Sequence, residues 1–236
     1  MINIRRTAVL ADLLCLLAAA QAGPPLDSVY SSQDPALRGD LASPVWNSVS
    51  GVIADRDNFG RLVPGHRTEI RSRWTKDNLY LLFICPYQKL WLKPNPQTQQ
   101  ETYALWDWDV AEAFLGSDFN NIRRYREFEV SPRGEWLDVD VDLAKPHPVD
   151  GWKWNSGFEV KTRINHEKHV WYAEMRIPWK ALQTHAPLPG DELRANFYRE
   201  QGPPTERLSI AWQPTHKESF HAPEVFGRLR LVQSAR

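Results

Sequence analysis

The residues best suited to chemistry are four consecutive side chains, Trp106-Asp107-Trp108-Asp109, with Glu112 three positions further on. An indole offers a flat, polarisable face, and carboxylates offer fixed, charge-assisted acceptors. The combination suits a pyranose ring, whose axial C–H face stacks on an aromatic while its rim of hydroxyls is held by polar groups. In an extended segment Trp106 and Trp108 point to the same face, because strand side chains repeat every two residues. Both are therefore candidate platforms with Asp107 at the hydroxyl rim; the competing role for either is a plug in the core. Glu112 stands among Ala111, Ala113 and Phe114. A carboxylate there must be paired, so it reads either as half of a structural ion pair or as a hydroxyl acceptor at a strand end. Arg199, closing Asn196-Phe197-Tyr198-Arg199, is the candidate partner or sugar donor. Trp212, between Ala211 and Gln213-Pro214, is a third candidate platform, and Trp152 and Trp154 are alternatives. Trp46, Trp74, Trp136, Trp171 and Trp179 read as core.

Other chemistries find less support. Calcium wants six to eight oxygens from convergent loops. The candidates are Asp55 and Asp57 in a Gly-containing loop, and Asp138 and Asp140 in the row Asp138, Asp140, Asp142. That row reads better as a solvated strand face neutralised by Lys161 and Arg163. The histidines show neither an H-E-x-x-H pattern nor Cys–His zinc spacing. A glycosidase needs two carboxylates about 5–9 Å apart, one of raised pKa, and no motif singles out such a pair. No G-x-S-x-G elbow is present either. A binding role without catalysis is expected, with no cofactor required; structural calcium is the one metal these candidates could serve.

The elements that position these residues are strands. Ile70, Ser72 and Trp74 alternate with charged neighbours, and after Thr75 to Asn78 the run Leu79 to Cys85 is apolar throughout, predicting a hairpin into a doubly buried strand. Further strands are predicted over 110–115, 125–131, 136–142, 158–164, 171–177, 193–198 and 226–232. Pro178 to Leu182 reads as a short helix with proline in its first turn. Many strands without strand–helix alternation predict an all-β, antiparallel two-sheet sandwich, Ig-like or jelly-roll-like, with one or two short helices. Lys+Arg and Asp+Glu balance at 29 each, which argues against a nucleic-acid partner.

Arg5 and Arg6, the apolar run Thr7 to Ala20 and the small-x-small Ala20-Gln21-Ala22 are the parts of a secretory signal peptide. Residues 1–22 are expected to be removed, leaving 23–236 as one exported domain, whether periplasmic, extracellular or at the cell surface. No other run approaches the roughly 20 apolar residues a membrane span requires. Removal of the leader takes Cys15 and leaves Cys85 without a disulfide partner.

The order of motifs resembles the family 9 carbohydrate-binding modules and their DOMON-type relatives from about Asp40 to Leu231. It rests on Trp46; Trp74 with Asn78-Leu79-Tyr80; Trp106 to Phe114; Tyr125 to Pro132; Trp171 to Pro178; Arg194 to Arg199; and Trp212 to Pro214 with Phe226-Gly227. The resemblance implies a β-sandwich that binds an oligo- or polysaccharide, often with bound calcium and beside glycan-degrading enzymes. Carried over, the first stacking Trp falls on Trp106, the following glutamate on Glu112 and the second Trp on Trp212. A strand position that is basic in the family falls on Glu129, which leaves open which sugar end is read. The DOMON branch implies haem; its axial Met would be Met175.

Overall fold

Alternation along the chain builds thirteen strands in the computed structural model, which describes residues 23–148, 151–183 and 185–233. The signal-peptide segment lies outside the described residues. The strands are β1 (Leu26–Tyr30), β2 (Val52–Ala54), β3 (Arg56–Asp57), β4 (Thr68–Trp74), β5 (Asn78–Pro86), β6 (Val110–Gly116) and β7 (Arg124–Val130). They continue with β8 (Trp136–Asp142), β9 (Glu159–Asn165), β10 (Val170–Pro178), β11 (Glu192–Gln201), β12 (Leu208–Ala211) and β13 (Gly227–Val232). The predicted short helix is a single 3₁₀ turn, Trp179–Ala181; the other helical segments are single 3₁₀ turns as well.

Hydrogen bonding runs β8-β7-β6-β11-β13-β1-β4-β5-β10-β9. Every pairing on this path is antiparallel except those of β1, which lies parallel to both β13 and β4. Strand β1 thus joins two antiparallel halves, β8-β7-β6-β11-β13 and β4-β5-β10-β9. The halves fold face to face across one core: Phe83 of β5 meets Phe197 of β11 edge-on at 5.9 Å. Ala111, Ala113, Phe128 and Val130 from one half and Leu81, Trp171 and Met175 from the other complete it. This is the expected sandwich. Met175 is fully enclosed in that core, where the thioether fills space between packed side chains. Cys85 is buried there too, and burial pushes its thiol up to about 12.

Period two puts the alternate residues of β6, β7, β8 and β11 on the opposite, outer face. There Phe114, Tyr125, Leu137, Val139, Val141 and Tyr198 form a second apolar cluster, capped by Phe226 and by the loops carrying Trp152 and Phe220. The half β8-β7-β6-β11 is therefore covered on both faces, and the polar residues of its outer face are buried with it. Edge strand β9 is the contrast. Its burial alternates with exposed Glu159, Lys161 and Arg163, charges that discourage further strand pairing.

Candidate functional site

The site grows from that outer face. Glu112 of β6 lies opposite Glu129 of β7 in the ladder and opposite Tyr198 of β11. Glu127 and Glu200, two residues along their own strands, share the face. Four carboxyl groups thus meet in one layer, and an arginine outside it, Arg207, approaches Glu200 at 4.0 Å. Glu112 Oε1 has no hydrogen-bond partner, and Glu129 lies within side-chain hydrogen-bond reach of Glu127.

Burial dominates their titration. It pushes Glu127 up to about 7. Glu200 also rises to about 7 through burial, opposed by the Ser209 hydroxyl and Arg207. Glu112 and Glu129 lie well above the carboxylate range, through burial first and then through the charge of their glutamate neighbours. Much of the layer is accordingly carboxylic acid at neutral pH, which can donate as well as accept.

Above the layer opens a cavity of about 240 Å³, lined by Glu112, Glu127, Glu200, Tyr103, Trp106, Trp152, Phe220, His221 and their neighbours. Trp106 is placed by a 3₁₀ turn, Leu105–Asp107, rather than by an extended segment. Fully buried Leu105 anchors the turn, and Ala104 enters it in the left-handed region at φ 57°. Arg207 closes it by donating to the carbonyls of Asp107 and Trp108. The outcome is an indole 38% exposed, beside Tyr103 at 52%, the two rings meeting edge to face at 5.3 Å.

The facing wall comes from two loops. His147 packs edge-on against Trp152 at 4.3 Å, and Trp152 Nε1 is a buried donor without a partner. Phe220 stacks on Tyr198 at 4.0 Å, whose hydroxyl donates to the Phe220 carbonyl at 3.0 Å. Tyr125 hydrogen-bonds His221 Nδ1 at 2.6 Å. Desolvation pushes His221 down to about 4, with His147 adding to the effect, so the ring is neutral at pH 7.

Gly151 makes the loop's approach possible. It holds φ 76°, and a Cβ there would stand 2.9 Å from the Tyr103 ring. Gly151→Ala is therefore expected to displace Tyr103 and weaken ligand binding about three- to tenfold, at a stability cost near 1 kcal/mol from the left-handed backbone. Titration beside a thermal melt checks both.

Of the residues expected from sequence, the structure brings Trp106 and Glu112 together. Trp108 turns away and stacks on Trp91 at 5.5 Å and 15°; the 3₁₀ turn breaks the period that would have aligned it with Trp106. Asp107 is exposed outside the lining and contributes its carbonyl to Arg207. Trp212 is not across from Trp106. It is 9% exposed and stacks on Phe197 at 5.4 Å in the main core. Gly227 makes that room, since a Cβ there would lie 2.6 Å from the indole.

Arg199 is likewise not the partner of Glu112. Next to Tyr198, which faces Glu112, it points through the sheet into the core. There it donates to the Pro86 carbonyl at 2.7 Å and to Gln201. Its electrostatic counterpart is Asp109, which also accepts from Gly202 N at 2.7 Å and Trp91 N at 2.9 Å.

The calcium candidates do not converge. Asp57 accepts from the backbone of Phe59 and Arg61 and pairs with the Arg61 guanidinium at 2.6 Å. Asp55 lies 3.9 Å from Arg56. Asp138 is buried and binds Ser156 N at 2.8 Å, and Asp140 is held by Arg124 and Arg126 rather than by Lys161 or Arg163. Among the described residues no group of three or more His, Cys, Asp or Glu side chains is placed to hold a metal ion.

Glu127, Glu200, Tyr103, Phe220 and His221 line the same cavity and were not among the residues expected from sequence. The available signal was Tyr125, Glu127 and Glu129 alternating with Arg126, Phe128 and Val130: two carboxylates on one strand face, beside a strand carrying Glu112 among apolar residues.

A family model for "Carbohydrate family 9 binding domain-like" proteins matches residues 39–234. The chain belongs to this family. Its function is that of a family 9 module, carbohydrate binding. An "Extracellular protein" of Arthroderma benhamiae is 25% identical over 205 residues, 79% of this chain and 87% of that protein. Endo-1,4-beta-xylanase A of Thermotoga neapolitana is 21% identical over 204 residues, which are 84% of this chain but only 17% of the xylanase. The fold matches a family 9 module of Caldicellulosiruptor kristjanssonii in complex with cellotriose, with TM-score 0.66 and 16% identity over 90% of this chain and 95% of that one. It also matches a putative carbohydrate-binding protein of Bacteroides uniformis, with TM-score 0.69 and 18% identity over 88% and 98%.

Proposed function

We propose that this family 9 module binds its sugar in the cavity between Trp106 and Trp152. One observation carries the assignment: Trp106, anchored through Leu105, holds an exposed indole over a cavity whose acidic floor includes an unsatisfied carboxyl oxygen, Glu112 Oε1. A sugar ring stacks its C–H face on Trp106 and meets Trp152, Tyr103 and Phe220 at its edges. Its hydroxyls reach Glu112, Glu127 and Glu200. Carboxyl groups that are partly protonated suit hydroxyls, which both donate and accept.

Residues 1–22 are read as an export signal that delivers the module outside the cytoplasm, a reading supported by the name of the Arthroderma relative. Among the described residues no helix is long and apolar enough to cross a membrane. The xylanase relatives support work beside glycan-degrading enzymes.

Titration with a panel of oligosaccharides, followed by tryptophan fluorescence, tests the site. Trp106→Ala and Trp152→Ala are each expected to weaken binding at least about tenfold, the first by loss of the stacking face and the second by loss of the facing wall. Trp106→Ala should leave the thermal midpoint nearly unchanged, as exposed substitutions stay within roughly 0.5 kcal/mol. Unaltered affinity in both variants would move the site elsewhere.

A hydrolytic reading has one observation in its favour: Glu127 and Glu200, both near 7, line one cavity, and a glycosidase acid needs a raised pKa. It requires that purified protein release reducing sugar and that Glu200→Gln abolish the release.

A further inference from the structure

The cavity couples two features that a neutral sugar does not require. Its walls are aromatic, from Trp106, Tyr103, Trp152 and Phe220, and its floor is acidic, from Glu112, Glu127 and Glu200. Among the described residues no lysine or arginine lines it. Glu112 is 2% exposed, borders the cavity, and keeps Oε1 without a partner. Resting on the site assigned above, we infer that the preferred ligand is an amino sugar bearing a free ammonium group, bound with the ammonium against Glu112, Glu127 and Glu200.

The chemistry of the pocket fits that cation on both counts. An ammonium has three donors and no acceptor, so it supplies the donor that Glu112 Oε1 lacks and adds to the single donor, Ser209, that Glu200 has. Aromatic faces attract it through their quadrupoles, most strongly where water is excluded. The rest of the ring is an ordinary pyranose and stacks as any other would on Trp106.

The groups that face this layer bear on its charge, with Arg194 and Glu224 acting at its tyrosine end. β6 supplies Glu112, β7 supplies Tyr125, Glu127 and Glu129, and β11 supplies Tyr198 and Glu200. Arg207 approaches from the segment after β11, and His147 and His221 face it from the loops. Both tyrosine hydroxyls are pushed up by burial and stay neutral. His221, held near 4, adds no positive charge at pH 7. Arg207 already engages two backbone carbonyls and Glu200. A bound ammonium would stabilise the ionised carboxylates, so binding should release protons near neutral pH.

The test uses the exported domain and three β-1,4-linked oligosaccharides of equal length that differ at C2: glucosamine, N-acetylglucosamine and glucose units. Calorimetry at pH 6.5 is expected to show the ammonium form binding at least tenfold tighter than either neutral form. Repeating it in buffers of different ionisation enthalpy should show proton release for that ligand alone. Glu112→Gln and Glu200→Gln, each isosteric with the protonated acid, should bring the ammonium-to-hydroxyl affinity ratio down toward one. Equal or tighter binding of a neutral oligomer overturns this inference and leaves the site assignment standing. Binding of none of the three overturns both, and an unchanged ratio in both variants places the recognition on other groups.

Discussion

Trp212→Ala is expected to lower the unfolding free energy by about 3–5 kcal/mol, the cost of emptying a large aromatic site in a packed core. The indole is stacked on Phe197, and its backbone N–H donates to the Phe197 carbonyl at 2.9 Å. Gly227 lies under it so closely that the smallest side chain there would clash. Neighbours so tightly fitted collapse little, so most of the cavity would remain. Urea unfolding measures the loss. The variant that stays folded should bind sugar like the parent. A loss of sugar affinity with stability intact would return Trp212 to the ligand site and overturn its placement in the core.

That contrast shows where the sequence was legible. Long alternating runs determine their own faces, so β4, β7, β8, β9 and β10 were readable from period, and β5 from a continuous apolar run bounded by a turn. Strands β1, β2, β3 and β12 were not predicted. Each is two to five residues long, too short to show a period, and they are stabilised by the partners they meet rather than by their own pattern. The parallel role of β1, which joins the two halves, is invisible for the same reason.

Trp106 and Glu112 stand out in the sequence because residue type and local context coincide there, and the structure sets both at one cavity. Glu200 was missed because the predicted strand, 193–198, stops short of it. In fact β11 runs on to Gln201, since Glu200 and Gln201 pair with Ser209 and Leu208 of β12. The error over Arg199 is one of parity. Neighbouring residues in a strand face opposite ways, so with Tyr198 beside Glu112, Arg199 must enter the core. Trp212 was misplaced for a different reason: a tryptophan in a short irregular segment has no period to assign its face. Only the absence of a Cβ on Gly227, remote in sequence, reveals where it packs.

The acidic layer also makes stability depend on pH in the direction opposite to ordinary surface carboxylates. Glu112, Glu127, Glu129 and Glu200 hold protons in the folded state that the unfolded chain releases near the usual glutamate value of about 4.3. The folded state then binds more protons than the unfolded one, and unfolding free energy falls as pH rises. The stabilisation is complete below the unfolded value. It is lost through about 7 for Glu127 and Glu200, and at higher pH for Glu112 and Glu129.

Two other groups act on lower windows. His221, near 4 when folded, loses stability as pH falls below about 6.5. Burial raises Asp34, but hydrogen bonds from Thr75, Asn78 and Tyr80 outweigh it, so its contribution is lost in stronger acid. The clean window therefore lies above about pH 6.5. Each tenfold change in proton affinity is worth about 1.4 kcal/mol, so four such groups should lower stability by roughly 3 kcal/mol or more between about pH 6.5 and about pH 8. Urea unfolding across that range should show a steady decline. Glu127→Gln and Glu200→Gln should each flatten it, because the amide keeps the shape of the protonated acid without the charge. A flat or rising profile in the parent would mean that the carboxyls are ionised in the folded protein, with a cation already taking the place of the proton.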